Sequence, residues 1–148
     1  MTFQYSLFTF LLVAFAIAFF STTVAQQQEP WRSDQLMNPP DLAAILADSK
    51  ADQPVIICIG PSGVIPGSIE AGPANESDNL KKLGDQLAKL PKDKAIVLYC
   101  GCCPFSKCPN IRPAFSLLNQ RGFTNHKLLN LPRNVKADWI DAGYPVTQ

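Results

Sequence analysis

The chain is expected to fold as an α/β domain, with a mostly parallel central sheet covered by helices on both faces. Short apolar runs rich in β-branched and aromatic residues alternate with segments of helical periodicity, and clusters of Gly and Pro separate them. The resulting order, helix, strand, helix, strand, helix, strand, helix, suits parallel strands joined by helical crossovers. Once a leader is set aside, the remaining length allows one hydrophobic core and is too short for two ordinary domains.

The leader is the first element. Leu7 to Phe20 is apolar apart from Thr9, and it runs into Ser21, Thr22, Thr23, Val24 and Ala25, an ending that suits a signal peptidase. Residues 1–25 are therefore expected to be a secretory signal cut after Ala25, which places the mature protein in a periplasm or outside the cell. The apolar run is shorter than the about 20 residues of a comfortable span. No stable membrane span is expected after cleavage, although MTFQYS lacks the Lys or Arg usual before such a run. Residues 26–40 read as a polar, Pro-containing, extended lead-in, and residues 41–148 as the folded domain.

Within the domain, Asp41 is expected to cap a short helix through Ser49 that buries Leu42, Ile45 and Leu46. Val55 to Ile59 reads as a strand. Gly60 to Asn75 carries Pro61, Gly63, Pro66, Gly67, Gly72 and Pro73, a density that predicts an irregular crossing loop. Ser77 should cap the next helix, where Leu80, Leu83, Leu87 and Leu90 recur at helical spacing and Lys81, Lys82, Asp85 and Lys89 face outward. Pro91 to Lys94 turns the chain into a second strand, Ala95 to Tyr99, apolar throughout and so buried on both faces. Asn110 is the expected N-cap of a helix that tolerates Pro113 in its first turn and turns Phe115, Leu117 and Leu118 inward. Gly122 fits just past its end. Phe123 to Leu131 reads as a strand with Leu129 and Leu131 on one side, and a last short helix carries Trp139 as a core anchor before Gly143, Tyr144 and Pro145 stop it.

The formal net charge is +1, and acidic and basic residues are mixed without a basic stripe, which argues against a nucleic-acid partner. The cysteines are the informative feature. Four of the five fall between Cys100 and Cys108, in one loop that follows a buried strand and precedes a helix. Bridges within so short a loop constrain the unfolded chain weakly, so a purely structural disulfide framework is disfavoured. An odd count also leaves one thiol over. A thiol at the carboxyl end of a parallel strand faces the usual ligand crevice of an open α/β sheet. Backbone N–H groups of the loop and the positive end of the following helix would stabilise a thiolate, a persulfide or an oxyanion there.

Several stretches resemble landmarks of a single rhodanese domain: Gly67, Ser68, Ile69, Ala71 and Gly72; IVLYC ending at Cys100; LLNQRGF, Leu117 to Phe123; and DWIDAGYPV, Asp138 to Val146. The resemblance covers nearly the whole expected mature chain and implies a rhodanese-like fold. It also implies that Cys100 takes a sulfane sulfur from a donor such as thiosulfate and passes it to a thiophilic acceptor. The partners implied are a small sulfur-donor anion and a thiol acceptor, and export adds the need for a periplasmic reductant to keep Cys100 free. The loop residues Gly101, Cys102, Cys103, Ser106, Lys107, Cys108 and Arg112 would frame the substrate, with Lys107 and Arg112 available to attract an anion. Three positions depart from the family pattern: Cys58 and Gly60 stand where Asp and Arg are usual, and Ser68 replaces a His. The loop after Cys100 is also longer.

The same residues bear on other chemistries. A tyrosine phosphatase needs an Arg where this loop has Ser106 or Lys107. CGCC, Cys100 to Cys103, has the C-x-x-C spacing of thioredoxin-like sites, but too little chain follows for that fold. A thiol–disulfide redox or sensor module on the same scaffold is the principal alternative, and a catalytically silent binding module the third. Cys58 is either a small buried strand residue or a resolving thiol for Cys100. Four thiolates suit zinc or copper, yet ligands crowded into one loop with adjacent Cys102 and Cys103 argue against it. Neither a metal nor another cofactor is expected. His126, in a predicted strand, reads as a packed residue.

Overall fold

The computed structural model describes residues 29–61 and 63–147. The expected signal segment, residues 1–25, lies outside them, as does the start of the lead-in. Among the described residues no helix is long and apolar enough to cross a membrane.

Among the described residues five parallel strands form the sheet: β1 Leu36–Met37, β2 Val55–Cys58, β3 Ile69–Glu70, β4 Ile96–Tyr99 and β5 His126–Leu129. Their spatial order is β1-β5-β4-β2-β3. Three helices connect them, α1 Pro39–Ala47, α2 Ser77–Leu87 and α3 Ile111–Gln120, and a π-helical turn, Lys136–Ile140, follows β5. This is the α/β arrangement expected, a parallel sheet covered by helices.

The middle strand shows why these residues fold as they do. All four residues of β4 are buried, because its even-numbered and odd-numbered side chains enter two different cores. Ile57, Ile59, Ile96, Leu98 and Leu128 pack with Leu83 and Leu87 of α2 and with Ile111, Ala114, Phe115 and Leu118 of α3. On the other face, Ile56, Cys58, Val97, Tyr99, Leu129 and Leu131 pack with Leu42 and Ala43 of α1 and with Trp139. A run without polar alternation thus marks a strand with no solvent face.

Several boundaries differ from expectation. α1 starts at Pro39, with Asn38 at its N-cap position and Pro at its first turn, rather than at Asp41. Ser77 is the first residue of α2 and Glu76 occupies its cap position, so Leu90 lies beyond the helix end, partly buried. The lead-in is not simply extended, since it contains a 3-10 turn, Ser33–Gln35, and edge strand β1. The crossing loop contains the other edge strand, β3, paired to β2. Two-residue strands carry no readable periodicity and form because β5 and β2 present unpaired backbone. Gly122 follows α3 with φ at +75°, the left-handed position expected of it.

His126 is 4% exposed, its ring centroid is 4.6 Å from that of Phe115, and neither ring nitrogen has a hydrogen-bond partner. Burial lowers its pKa below the usual 6.5. The unfolded chain therefore takes up a proton more readily, so stability holds above about pH 6.5 and falls as the pH drops below it. Urea midpoints of the native sequence should decrease between about pH 7 and pH 5 more steeply than those of His126→Leu. Parallel slopes for the two proteins would show that His126 is not the group responsible.

Candidate active site

The sheet order places one crevice at the carboxyl end. The chain passes from β2 outward to β3, then crosses back to β4 on the other side of β2 and continues to β5. The order reverses between β2 and β4, which is where an open α/β sheet gathers its ligands. Gly60 and Cys100 lie just past the ends of these two strands. A Cβ at Gly60 would come within 3.0 Å of Cys100 Sγ, so the absence of a side chain there makes room for the thiol.

Four thiols meet at this point. The sulfurs of Cys100, Cys102, Cys103 and Cys108 all lie within 4.8 Å of one another. Cys100 Sγ is 3.4 Å from Cys102 Sγ, which is 3.3 Å from Cys103 Sγ. Cys100 and Cys108 are buried, Cys103 is half-buried and Cys102 is exposed. The crowding that argued against a metal does not hold in the folded loop, which curls enough to bring four soft ligands together.

The loop is held by long-range bonds. The Phe105 N–H donates to Leu131 O at 3.1 Å, and the Val135 N–H donates to Gly101 O at 3.0 Å. A Cβ at Gly101 would lie 2.7 Å from Val135 Cγ1, so a larger residue there would force the loop from its seat. Arg112 donates to Ser106 O at 3.0 Å and pairs with Glu29, while its guanidinium lies over the Trp31 ring at 5.6 Å. Trp31 in turn packs against Phe105 and Phe115. Arg112 thus ties the lead-in to the loop, whereas Lys107 is exposed on its rim.

Cys100 is the thiol held as an anion. Its pKa falls from 9.0 to about 5, chiefly because the Cys108 thiol donates to it, with further donation from the Asn110 side chain and from Cys102 outweighing the opposing effect of burial. Cys108 moves strongly upward, since losing its proton would remove the bond it makes to Cys100. Cys102 is pushed up to about 12 by burial and by its bonds to Cys103 and Cys100. Cys100 is therefore an anion with the Cys108 and Cys102 thiols and the Asn110 amide as its donors.

Asn110 is the residue that sequence reasoning misplaced. It occupies the N-cap position of α3, but its side chain makes no cap bond. Asn110 Oδ1 instead accepts from the Asn75 N–H at 3.1 Å, and Nδ2 donates to Cys100 Sγ at 3.4 Å. The Asn75 donor fixes which end of the amide is oxygen and so aims the NH2 group at the sulfur. Its signal in the sequence was the same Asn that suggested a cap. Glu29 and Trp31 had no signal, because only folding lays the lead-in across the loop.

Cys58 is not among the converging thiols. It sits in register with Tyr99 on the neighbouring strand and points into the core on the other face of the sheet from Cys100. Burial raises its pKa. A resolving role for Cys58 would require one of the two thiols to reach across the sheet. Ser68 likewise has a structural partner: its hydroxyl lies 3.2 Å from Tyr99 Oη, which accepts from the Val64 and Ile65 N–H groups and pins the crossing loop.

Fold and site together define a parallel α/β domain with a buried thiolate at the switch point of its sheet. No protein-family model matches the chain, and no curated protein sequence is similar to it. Among solved structures it is similar to EanB carrying a cysteine-to-serine substitution, in complex with hercynine, and to EanB carrying two cysteine-to-alanine substitutions, also with hercynine. In both, the identity is 18%, the TM-score is 0.55 and 77% of this chain is covered. The chain spans only 27% of the length of those proteins, and the likeness is one of fold.

Proposed function

We propose that this chain is a rhodanese-like sulfur-transfer protein in which Cys100 carries the sulfur. The observation that carries the reading is the Cys100 thiolate, ionised well below neutral pH and placed at the carboxyl end of the middle strand. A thiolate is the nucleophilic form of cysteine, and three donors beside it can equally serve a persulfide anion. The resemblance of the sequence landmarks to rhodanese domains points to the same cysteine, and the sulfur atoms gathered around it are compatible with sulfur handling.

In this reading the Cys100 thiolate attacks the outer sulfur of a thiosulfate-like donor. A bond forms between Cys100 Sγ and that sulfur while the donor's sulfur–sulfur bond breaks, releasing sulfite with its electron pair. An acceptor thiolate then attacks the outer sulfur of the Cys100 persulfide, takes it, and returns Cys100 as a thiolate. No net oxidant is consumed. Cys100 is only 1% exposed, so the loop around it must open to admit the donor. Lys107, at the rim, supplies a positive charge for an approaching anion.

The test is intact-mass analysis of the reduced protein after incubation with thiosulfate. One added sulfur atom per chain is expected, located on Cys100 by peptide mapping, absent in Cys100→Ser and retained in Cys58→Ala. A second reading is favoured by the short sulfur separations, 3.4 and 3.3 Å, which suit a thiol–disulfide couple within the loop. That reading predicts no sulfur adduct, but a reversible loss of two hydrogens per chain in a glutathione redox buffer. A protein that shows neither change removes both readings.

A further inference from the structure

The four-thiol loop has a geometry that neither sulfur transfer nor a single disulfide requires. A persulfide carrier uses one cysteine and a disulfide two, whereas here four sulfurs share one small volume. We infer that the loop is a binding site for one divalent d10 cation, zinc, coordinated by Cys100, Cys102, Cys103 and Cys108.

The spacing carries the inference. In a tetrahedral four-thiolate centre with metal–sulfur bonds of about 2.3 Å, neighbouring sulfurs stand about 3.8 Å apart. Here the two closest recorded separations are 3.3 and 3.4 Å, and no pair exceeds 4.8 Å. These separations bracket the tetrahedral value, so side-chain adjustments of under an ångström would complete the shell. The space enclosed suits a single ion, because a polynuclear cluster needs its own metal and sulfide atoms between the cysteine sulfurs and would hold them further apart. Copper(I) is satisfied by fewer thiolates, while zinc has no geometric demand beyond the tetrahedron that four of them provide.

The surroundings complete such a site. Asn110 Nδ2 already donates to Cys100 Sγ at 3.4 Å, and Asn110 Oδ1 is anchored by the Asn75 N–H, the kind of outer contact that orients a ligand and disperses thiolate charge. Cys100 and Cys108 form a buried floor, and Cys103 and the exposed Cys102 close it from the solvent side, which gives the ion an entry path.

Zinc and sulfur would compete for Cys100. Bound zinc ties up its lone pair, so the metal-loaded chain should take up sulfur from thiosulfate far more slowly than the metal-free one. The two ideas fail separately. The sulfur adduct forms on Cys100 alone, whereas zinc is bound by all four sulfurs.

The test uses the reduced full chain, titrated with zinc against a chromophoric chelator, with bound ion counted by native mass spectrometry and cobalt(II) as the spectroscopic substitute. One ion per chain is expected, and the cobalt form should show the sulfur-to-metal charge transfer and ligand-field bands of tetrahedral thiolate coordination. Cys102→Ser, Cys103→Ser and Cys108→Ser should each weaken zinc affinity by at least about 100-fold, the upper end of the loss seen when only an outer-shell partner is removed. In the unsubstituted protein, zinc should protect the four loop cysteines from alkylation, a readout that needs no variant to fold. Absence of zinc binding, more than one ion per chain, octahedral cobalt spectra, or full affinity in the three serine variants would each overturn the site.

Discussion

Replacing Cys108 by alanine is expected to raise the pH at which Cys100 ionises from about 5 to between about 6 and 7. The Cys108 thiol is the strongest of the donors that hold Cys100 as an anion. A hydrogen bond to a charged group contributes about 1.5–3 kcal/mol, or about 1–2 pH units. Removing the donor destabilises only the ionised form, so the midpoint moves up. Cys108→Ser keeps an O–H donor and should restore most of the shift. Asn110→Leu should raise the midpoint too, and by removing the bond from the Asn75 N–H it should also lower stability by about 0.5–1.5 kcal/mol. The measurement is the pH dependence of Cys100 alkylation by iodoacetamide, followed by peptide mapping. Midpoints unchanged in both Cys108→Ala and Asn110→Leu would show that neither side chain activates the thiol.

Trp139→Ala is expected to cost about 3–5 kcal/mol of stability. Domains of this size have only about 5–15 kcal/mol in total, so the variant should be partly unfolded near body temperature. Trp139 is fully buried in the core opposite the thiol loop, its ring stands 5.1 Å from that of Tyr144, and its Nε1–H donates to Pro145 O at 2.7 Å. It therefore pins both the π-helical turn and the chain that leaves it. Trp139→Phe retains much of the packing and loses the donor, so its cost should be closer to that of one hydrogen bond, about 0.5–1.5 kcal/mol. Urea unfolding of both variants separates the two contributions. Equal costs would mean that packing matters little here. A near-neutral Trp139→Ala would remove the core-anchor role altogether.

The two faces of the sheet divide the work of this protein. Trp139, Tyr99 and Cys58 build a core that fixes the backbone on one side. The thiol loop lies on the other, against α2 and α3. The separation follows from the period of the strand. Tyr99 and Cys100 are consecutive, so the ring enters one layer and the thiol the other. The Gly101 to Val135 bond then links them, since Val135 precedes the turn that carries Trp139.

Much of this was legible in the linear order of residues. The apolar run Ile96 to Tyr99 declared a strand buried on both sides, Leu83 and Leu87 declared the inner face of α2, and Gly122 declared the end of α3. All of these depend on interactions within a few residues, where spacing and backbone preference settle the outcome. The same locality placed Cys100 at a strand end and so made it the thiol to examine. Edge strands β1 and β3 were not legible, because two residues have no period and their pairing comes from partners distant in sequence.

The thiol loop divides along the same line. Sequence alone determined that four cysteines would share one segment beyond a parallel strand, and that one of them would lead it. Only the tertiary structure decided that Asn110 turns from its own helix to Cys100, that Trp31 and Arg112 brace the loop, and that Cys58 faces away. It also decided that the four sulfurs converge instead of splaying. Convergence depends on where Leu131 and Val135 hold the loop backbone, some 30 residues further along the chain. Local chemistry writes the ligands into the sequence; long-range closure determines whether they meet.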